Sequence, residues 1–535
     1  MAKFRSKTDY ARIYAGDKQG FNLGVDGSIY IKKETTQRVF NPPVIGTQGK
    51  SLGGTSASTD ITAAATPATL KAAVSGGAVV TASIAVAGLS TGTLIAAALE
   101  TAINSALAAD GQDARVWVAF DGAGPDQYTV WNQSTGTAAT VVITNGTSNN
   151  IADDLKLGLA NGGTESAGTD DQDFLLYTTG GMTFNQPVES NAHRSGRFHT
   201  GIIRKKKVAE FDFDTYVNMN GSAGSSIDNS VQALIESALG KKTNTGTTID
   251  FEQDLPNFTL SMVRVSTIFG EYYTGGYVRD MELDGKGDGP ATVKYSGKAA
   301  KAYIAGLAQL SGAVSASTDV IVNTGESKRY EANARVMMVG VDGRTITAGQ
   351  DGSLYVASVD DNTSTVVLSA AVTAADDSYL APWDPGAVQQ TGRDNIYTDL
   401  VGSIKLSQSG SSIDTTAFNL KIANDHVDFD NRFGADANKG FAAANRATIT
   451  LKVDFDLSNE TFGDVVRTRN FAGFNPELVI GTVSSGRYLK ITAPKWIPSV
   501  PPIEVPENGV SSISLEGQLY QSDTGQKDPV KLRFG

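Results

Sequence analysis

Two pairs of segments in this chain recur at one fixed spacing. PNFTLSMV at 256–263 aligns with PELVIGTV at 476–483, and ATVKYSG at 291–297 aligns with SSISLEG at 511–517, both 220 residues apart without gaps. An offset held over about forty residues is hard to obtain from β alternation alone, and it points to a duplicated domain. An earlier pair, EFDFDT (210–215) and KVDFDL (452–457), lies 242 apart, so the first copy carries 22 more residues between these landmarks. The extra length falls around 231–239, where a helix is expected, and TFGDVVRTRNF (461–471) is its shortened counterpart. In the paired strands Phe211 and Phe213 alternate with Asp212 and Asp214, as Val453, Phe455 and Leu457 do with Asp454 and Asp456. Such alternation describes half-buried strands with an acidic exposed face.

The rest of the chain reads as modules set around this repeat. At 535 residues it exceeds one ordinary core, and three to four folding units are expected. Its 57 glycines and 8% aromatic content suit many short strands joined by tight turns. Ile29 and Ile31, alternating with Tyr30 and Lys32, predict a strand near the start. Residues 52–170 lose most of their charge and contain TLIAAALETAINSALAAD, with Leu94, Ala97, Ala98, Ile103 and Leu107 as an apolar stripe. Strands VWVAF (116–120) and YTVWN (128–132) follow, then TVVITNG and a short helix over ADDLKLGLA, which makes an inserted α/β module. A second helix is expected after Asp228 or Ser230 as cap, with Val231, Leu234, Ile235, Ala238 and Leu239 inward, Gln232 and Glu236 exposed, and Gly240 as its end. Residues 319–382 read as a small all-β module, and WIPSVPPIEVP as an extended edge or loop because of its prolines. The boundaries that follow are 1–51 with 171–312 for the first repeat, 52–170 and 319–382 for the inserts, and 386–535 for the second repeat. The fold class is mainly β, in the α+β sense.

Several chemistries are excluded or unsupported by residue type. With no cysteine there is neither a disulfide framework nor a thiolate site, and His193, His199 and His426 are too scattered for the common zinc spacings. A net charge of -12 argues against wrapping nucleic acid. No hydrophobic run suggests a membrane span, and the start MAKFRSKTDYARIY lacks a signal-peptide core, so a soluble, cytosolically made protein is expected. GKS at 49–51 lacks the upstream glycine of a phosphate loop. DMELDGKGDG (280–289) lacks calcium-loop spacing and reads as a polar hairpin turn. The basic cluster of Arg194, Arg197, Arg204, Lys205 and Lys206 is the candidate for contact with an acidic neighbouring subunit. No catalytic residue, cofactor site or metal site is expected.

Two resemblances add to this reading. The Ala-rich helix, hairpin and "LGL" segment of 52–170 are similar to small modules inserted in flagellins and phage tail proteins. The run VESNAHRSGRFHTGIIRKKKVAEFDFDTYVNMNG, the helix DNSVQALIESALG, the hairpin GGYVRDMELDGKGDGPATVKYSGK and the later VDFDNRFGADANKGFAAANRATITLKVDFDLSNE resemble the tail tube family of long-tailed, siphovirus-like bacteriophages. These parts cover somewhat more than half the chain. The resemblance implies two β-sandwich or barrel domains, one flanked by a helix and one by its short counterpart, in a non-enzymatic virion protein of the tail, assembled in the host cytoplasm. It further implies homotrimeric, pseudo-hexameric rings stacked by a long loop, with the tape measure protein in the bore, tail terminator and tail tip proteins at the ends, and genomic DNA passing through without specific binding. Asp212, Asp214, Asp454 and Asp456 are then the expected lumen-facing acids. A capsid-decorating or adhesive surface protein is the alternative, while 4 tryptophans are few for a carbohydrate cleft.

Overall fold

The computed structural model describes residues 28–535 apart from 218–226, 385–403, 429–440, 457–473, 500–511, 522–527 and shorter loop stretches. It is mainly β, with several antiparallel sheets. The strands of its frame are, in chain order, β1 (Ser28–Lys33), β2 (Thr179–Asn185), β3 (Val208–Tyr216), β4 (Gly240–Asn244), β5 (Ile249–Gln253), β6 (Leu260–Val265), β7 (Phe269–Lys286), β8 (Thr292–Ala299) and β9 (Lys301–Gly306). They continue with β10 (Ile404–Ser407), β11 (Thr415–Asp428), β12 (Phe441–Asp456), β13 (Phe474–Thr482), β14 (Arg487–Thr492), β15 (Lys495–Ser499), β16 (Ser512–Tyr520) and β17 (Lys531–Phe534). Helix α1 is Gly92–Ala109 and α2 is Asn229–Leu239.

Eight strands form one inner layer in the order β15-β16-β12-β11-β7-β8-β3-β2. Its first half is β2-β3-β8-β7 and its second half β11-β12-β16-β15, so each half runs from a hairpin to a closing pair. In both halves the strand carrying the Phe/Asp or Val/Asp alternation pairs with the nearer strand of the closing pair, β3 with β8 and β12 with β16. The outer layer repeats as well: β1-β6-β7-β9 in the first half, β10-β13-β14-β17 in the second. Long β7 serves both layers of its half, whereas the second half splits that job between β14 and β15.

A single hydrophobic cluster fills the space between these layers and crosses from one half to the other. It joins Phe211, Phe213, Met281, Leu283 and Tyr295 to Leu420, Ile422, Leu451, Val453, Trp496 and Leu515. The second face of the first half's outer sheet is buried too. Ile29 and Ile31 point into the main core, while Tyr30 joins Val263, Val265 and Tyr272 in a separate cluster with Trp383, Met338 and Val356. Both faces of β1 are therefore buried at Ile29, Tyr30 and Ile31. The module that covers Tyr30 begins with the strand Ala308–Gln309 and runs to Trp383, earlier than the expected 319, because its first strands pair with its last.

Helix α2 ends where expected. Gly240 adopts a φ of 102°, and a Cβ there would lie 2.0 Å from the Asp254 carbonyl oxygen, so only glycine fits. The helix is buried nearly all round, which corrects the expected exposure of Gln232 and Glu236. Lys33 Nζ donates to Glu236 Oε1 at 2.7 Å and Lys242 Nζ to Gln232 Oε1 at 3.0 Å, so both polar groups are satisfied under cover.

The 52–170 insert has its own core against α1. There Ile103 and Leu107 face inward as expected, while Ile95 and Leu99 complete the stripe and Leu94 is exposed. With 18 residues and a mean hydropathy of 1.3, α1 is long and apolar enough to cross a membrane by composition; burial of those four residues accounts for its hydropathy within a folded module. ADDLKLGLA forms turns and a short 3-10 segment at Leu159–Asn161 instead of a helix. Gly158, at a φ of 86°, and Lys156, at 54°, break the helical path.

Candidate assembly surface

Strand alternation gives the inner sheet one apolar and one polar side, and the polar side carries the candidate residues. A cross-strand row runs Thr179, Asp214, Lys294, Glu282, Lys421, Thr450, Gln518, Ile497 across all eight strands. The adjacent row runs Thr292, Asp284, Asn419, Lys452, Glu516, Ser499. Asp212 is exposed on this side, and Asp214 is half-buried, accepting from Thr179 Oγ1 at 2.7 Å with Lys294 Nζ 4.0 Å away. Asp454 sits 3.6 Å from Lys452 Nζ. Asp456 lies opposite Ser512 in β12, but its side chain is outside the described residues.

Three further acids share this side. Asp280, Glu282 and Asp284 belong to β7, where Met281 and Leu283 point into the core. They form part of a strand, not the polar turn expected from sequence, and the alternation in DMELDG was the available signal. Lysines interleave with them, so the surface is charged in both signs rather than purely acidic; like charges directly opposite one another would destabilise the ladder. Asn419 Nδ2, from the second half, donates to Glu282 Oε1 at 2.6 Å and Asp284 Oδ1 at 2.5 Å, tying the halves together across their seam.

The expected charged loop has a β-hairpin backbone. Beyond β2 and β3, Val188–Ser190 pairs with Ile202–Arg204 and Arg194–Ser195 with Phe198–His199, continuing the β2-β3 hairpin outward. Arg194 and Arg204 are in these strands, while Arg197, Lys205 and Lys206, and all five side chains, lie outside the described residues. The second half has a matching extension, with Asp428 opposite Phe441 in the β11-β12 hairpin.

The seam between the halves is a head-to-tail joint. The closing strand of the first half, β7, pairs through Asp280–Lys286 with Ala417–Ala423 of the opening strand of the second, β11. The pairing registers fix which residues correspond. Tyr277 faces Lys298 in the first half and Ile497 faces Gln518 in the second, each shifted by 220. Phe211 faces Gly297 and Leu451 faces Gly517, which sets the offset of β3 and β12 at 240 rather than 242. Asp214 thus corresponds to Asp454, and Asp212 to Lys452. By the same pairings β2 corresponds to 417–423, the very segment that β7 engages. Among the described residues, β2 and β15 are the two ends of the eight-strand path. The internal joint therefore uses a closing edge and an opening edge, and the chain presents one more of each.

The outer layer strengthens the internal joint. Hairpin β4-β5, directly after α2, adds to the second half's β17. Arg533 Nε and Nη2 donate to the two oxygens of Asp250 at 2.7 and 2.8 Å, and Lys531 Nζ lies 2.8 Å from both Asp250 Oδ2 and Glu252 Oε1. Arg533 first, then Lys531, holds the Asp250 carboxyl below its ordinary range, and Lys241 with Lys531 does the same for Glu252. The corresponding edge in the first half, β9, is covered differently. Glu331 N donates to the Ile304 carbonyl at 2.9 Å, and Arg329 packs over Gly306, so the 308–383 module lies against that edge.

No family model matches the chain, and no curated protein matches it. Among the described residues there is no group of three or more His, Asp or Glu side chains placed to hold a metal ion.

Proposed function

We propose that this chain is a self-assembling tail tube subunit of a long-tailed phage, whose three-chain rings imitate hexamers. The head-to-tail joint inside the chain carries the reading: β7 meets β11 in one ladder, and strands corresponding to these two are left at opposite ends of the same sheet. Repetition of one heterologous contact closes a ring when its rotation permits. Closure also removes both open edges, which otherwise invite unspecific strand addition. Three eight-strand sheets would make a barrel roughly 45 Å across between backbones, wide enough for a DNA duplex.

The layer order supports the charged side as the lining. Going outward from it come the inner sheet, the main core, the first half's outer sheet, a second core and the 308–383 module. Asp212, Asp214, Asp280, Glu282, Asp284 and Asp454 would then face the bore, where carboxylates repel phosphate and let DNA pass. The paired hairpin arms are suited to reach the next ring, and the tape measure protein would occupy the bore before DNA does. Negative-stain electron microscopy of the purified protein checks the reading. Hollow tubes are expected, while compact particles at every concentration would favour a decorating or adhesive surface protein.

A further inference from the structure

The first insert carries a sheet face that plays no part in the proposed ring. Its four strands run Val116–Asp121, Gln127–Thr135, Gln48–Leu52, Thr164–Ser166. Val116, Val118, Tyr128 and Val130 point into the module's core with α1. Strand alternation therefore turns Trp117, Ala119 and Asp121 outward, with Trp131, Thr129 and Gln127 directly opposite them.

The Trp117 and Trp131 rings are stacked, with centroids 4.3 Å apart and planes at 23°, and both residues are half-buried. Lys50 and Ser166 continue their row across the sheet. The next row, Ala119, Thr129, Leu52 and Thr164, is built from smaller side chains, and Asp121 with Gln127 makes a third. The two indoles thus stand as a step above a lower, mostly uncharged floor.

We infer that this face binds a neutral carbohydrate chain, with one sugar lying against the indole step. One face of a pyranose ring is a patch of C–H groups and its rim is hydroxyls, which matches an aromatic surface bordered by Thr129, Thr164, Ser166 and Lys50. Charge complementarity points the same way. Lys50 and Asp121 are the two charged residues of the three rows and are opposite in sign, so an uncharged polymer meets no net field. A nucleic acid is disfavoured, because a single lysine makes no phosphate track. A second protein chain is disfavoured by size. With strands about 4.8 Å apart and rows about 7 Å apart the face spans about 200 Å², against about 800 Å² per partner in a stable protein interface. A narrow chain of sugars fits that area. The low tryptophan count is no obstacle, since Trp383 and Trp496 are core residues and the other two of the 4 are both here.

Tryptophan emission of the full chain, titrated in turn with maltohexaose, cellohexaose, mannohexaose and chitohexaose, reads binding whether or not tubes form. At least one sugar should give a saturable change, and Trp131→Ala should abolish it. Because Trp131→Ala also removes the stacked pair, a second variant, Ala119→Arg, fills the lower row and keeps both indoles. It should weaken binding at least tenfold with an unchanged far-UV spectrum. No saturable change with any of the four sugars overturns the inference, as does equal affinity in Ala119→Arg. A response to dextran sulfate alone also overturns it, because the contact is then made through charge. None of these outcomes bears on the tube reading.

Discussion

At the scale of single residues, the Asp250–Arg533 pair is the most exacting contact in the joint. Asp250 is 3% exposed and takes both hydrogen bonds of the guanidinium, while Lys531 supplies a third partner. Replacing Arg533 with methionine leaves a buried carboxylate with one cation, and a loss of about 1–3 kcal/mol is expected, read as a lower midpoint in chemical denaturation. Asp250 and Glu252 both have lowered folded-state pKa values. Their stabilisation is complete above the unfolded carboxylate value near pH ~4 and is lost as pH falls through the lowered values. Asp528, raised by burial and by Glu252, acts in the opposite sense beside them. Wild type should therefore lose thermal stability more steeply than Arg533→Met below about pH 4, and parallel profiles would show that the pair does not govern acid sensitivity. None of these residues was singled out in the sequence, because their association has no local signal. Asp250 and Arg533 are 283 positions apart, and no local pattern links them. The burial of Gln232 and Glu236 was hidden for the same reason, since Lys242 and Lys33 reach them from other elements. Gly240 was legible because a left-handed helix end selects glycine locally.

At the scale of elements, alternation revealed which side of each strand is buried, but not the exact register between repeats. A slip of two residues leaves every side chain on the same face, so EFDFDT and KVDFDL match equally well in pattern at 242 and at 240. Cross-strand pairing resolves the choice in favour of 240. The acids of β7 were missed because a glycine-rich stretch, GKGDG, drew the eye to a turn, whereas the strand runs on to Lys286. Their proposed role in the bore gives an element-level prediction. Asp280→Asn, Glu282→Gln and Asp284→Asn together keep an oxygen acceptor for Asn419 and the volume of each side chain, so tubes should form normally. DNA release from particles carrying the triple variant should slow several-fold at low salt and recover as salt rises, in the manner of a screened interaction. Release kinetics identical to wild type would argue that this side does not line the DNA path.

At the scale of the whole molecule, the duplicated order was legible as a repeat, but its mode of joining was not. Sequence spacing suggested two domains in series, whereas one core passes through both halves and one sheet contains strands of both. The difference arises because β7 gives its outer edge to β11, a pairing between segments more than a hundred residues apart. The first insert was read from its change in composition and the second from its strand and turn pattern, and the strand Ala308–Gln309, which pairs with Tyr379–Pro382, lies before the expected 319 because so short an edge strand leaves little alternation to read. The central claim is that the contact made within each chain is made again between chains. A cryo-electron microscopy reconstruction of the assembled protein tests it most directly. The account predicts three chains per ring, β15 of each beside β2 of the next, and the side bearing Asp212, Asp280 and Asp284 facing a continuous bore. Rings joined through other surfaces, or a lumen lined by the opposite side of the sheet, would contradict it.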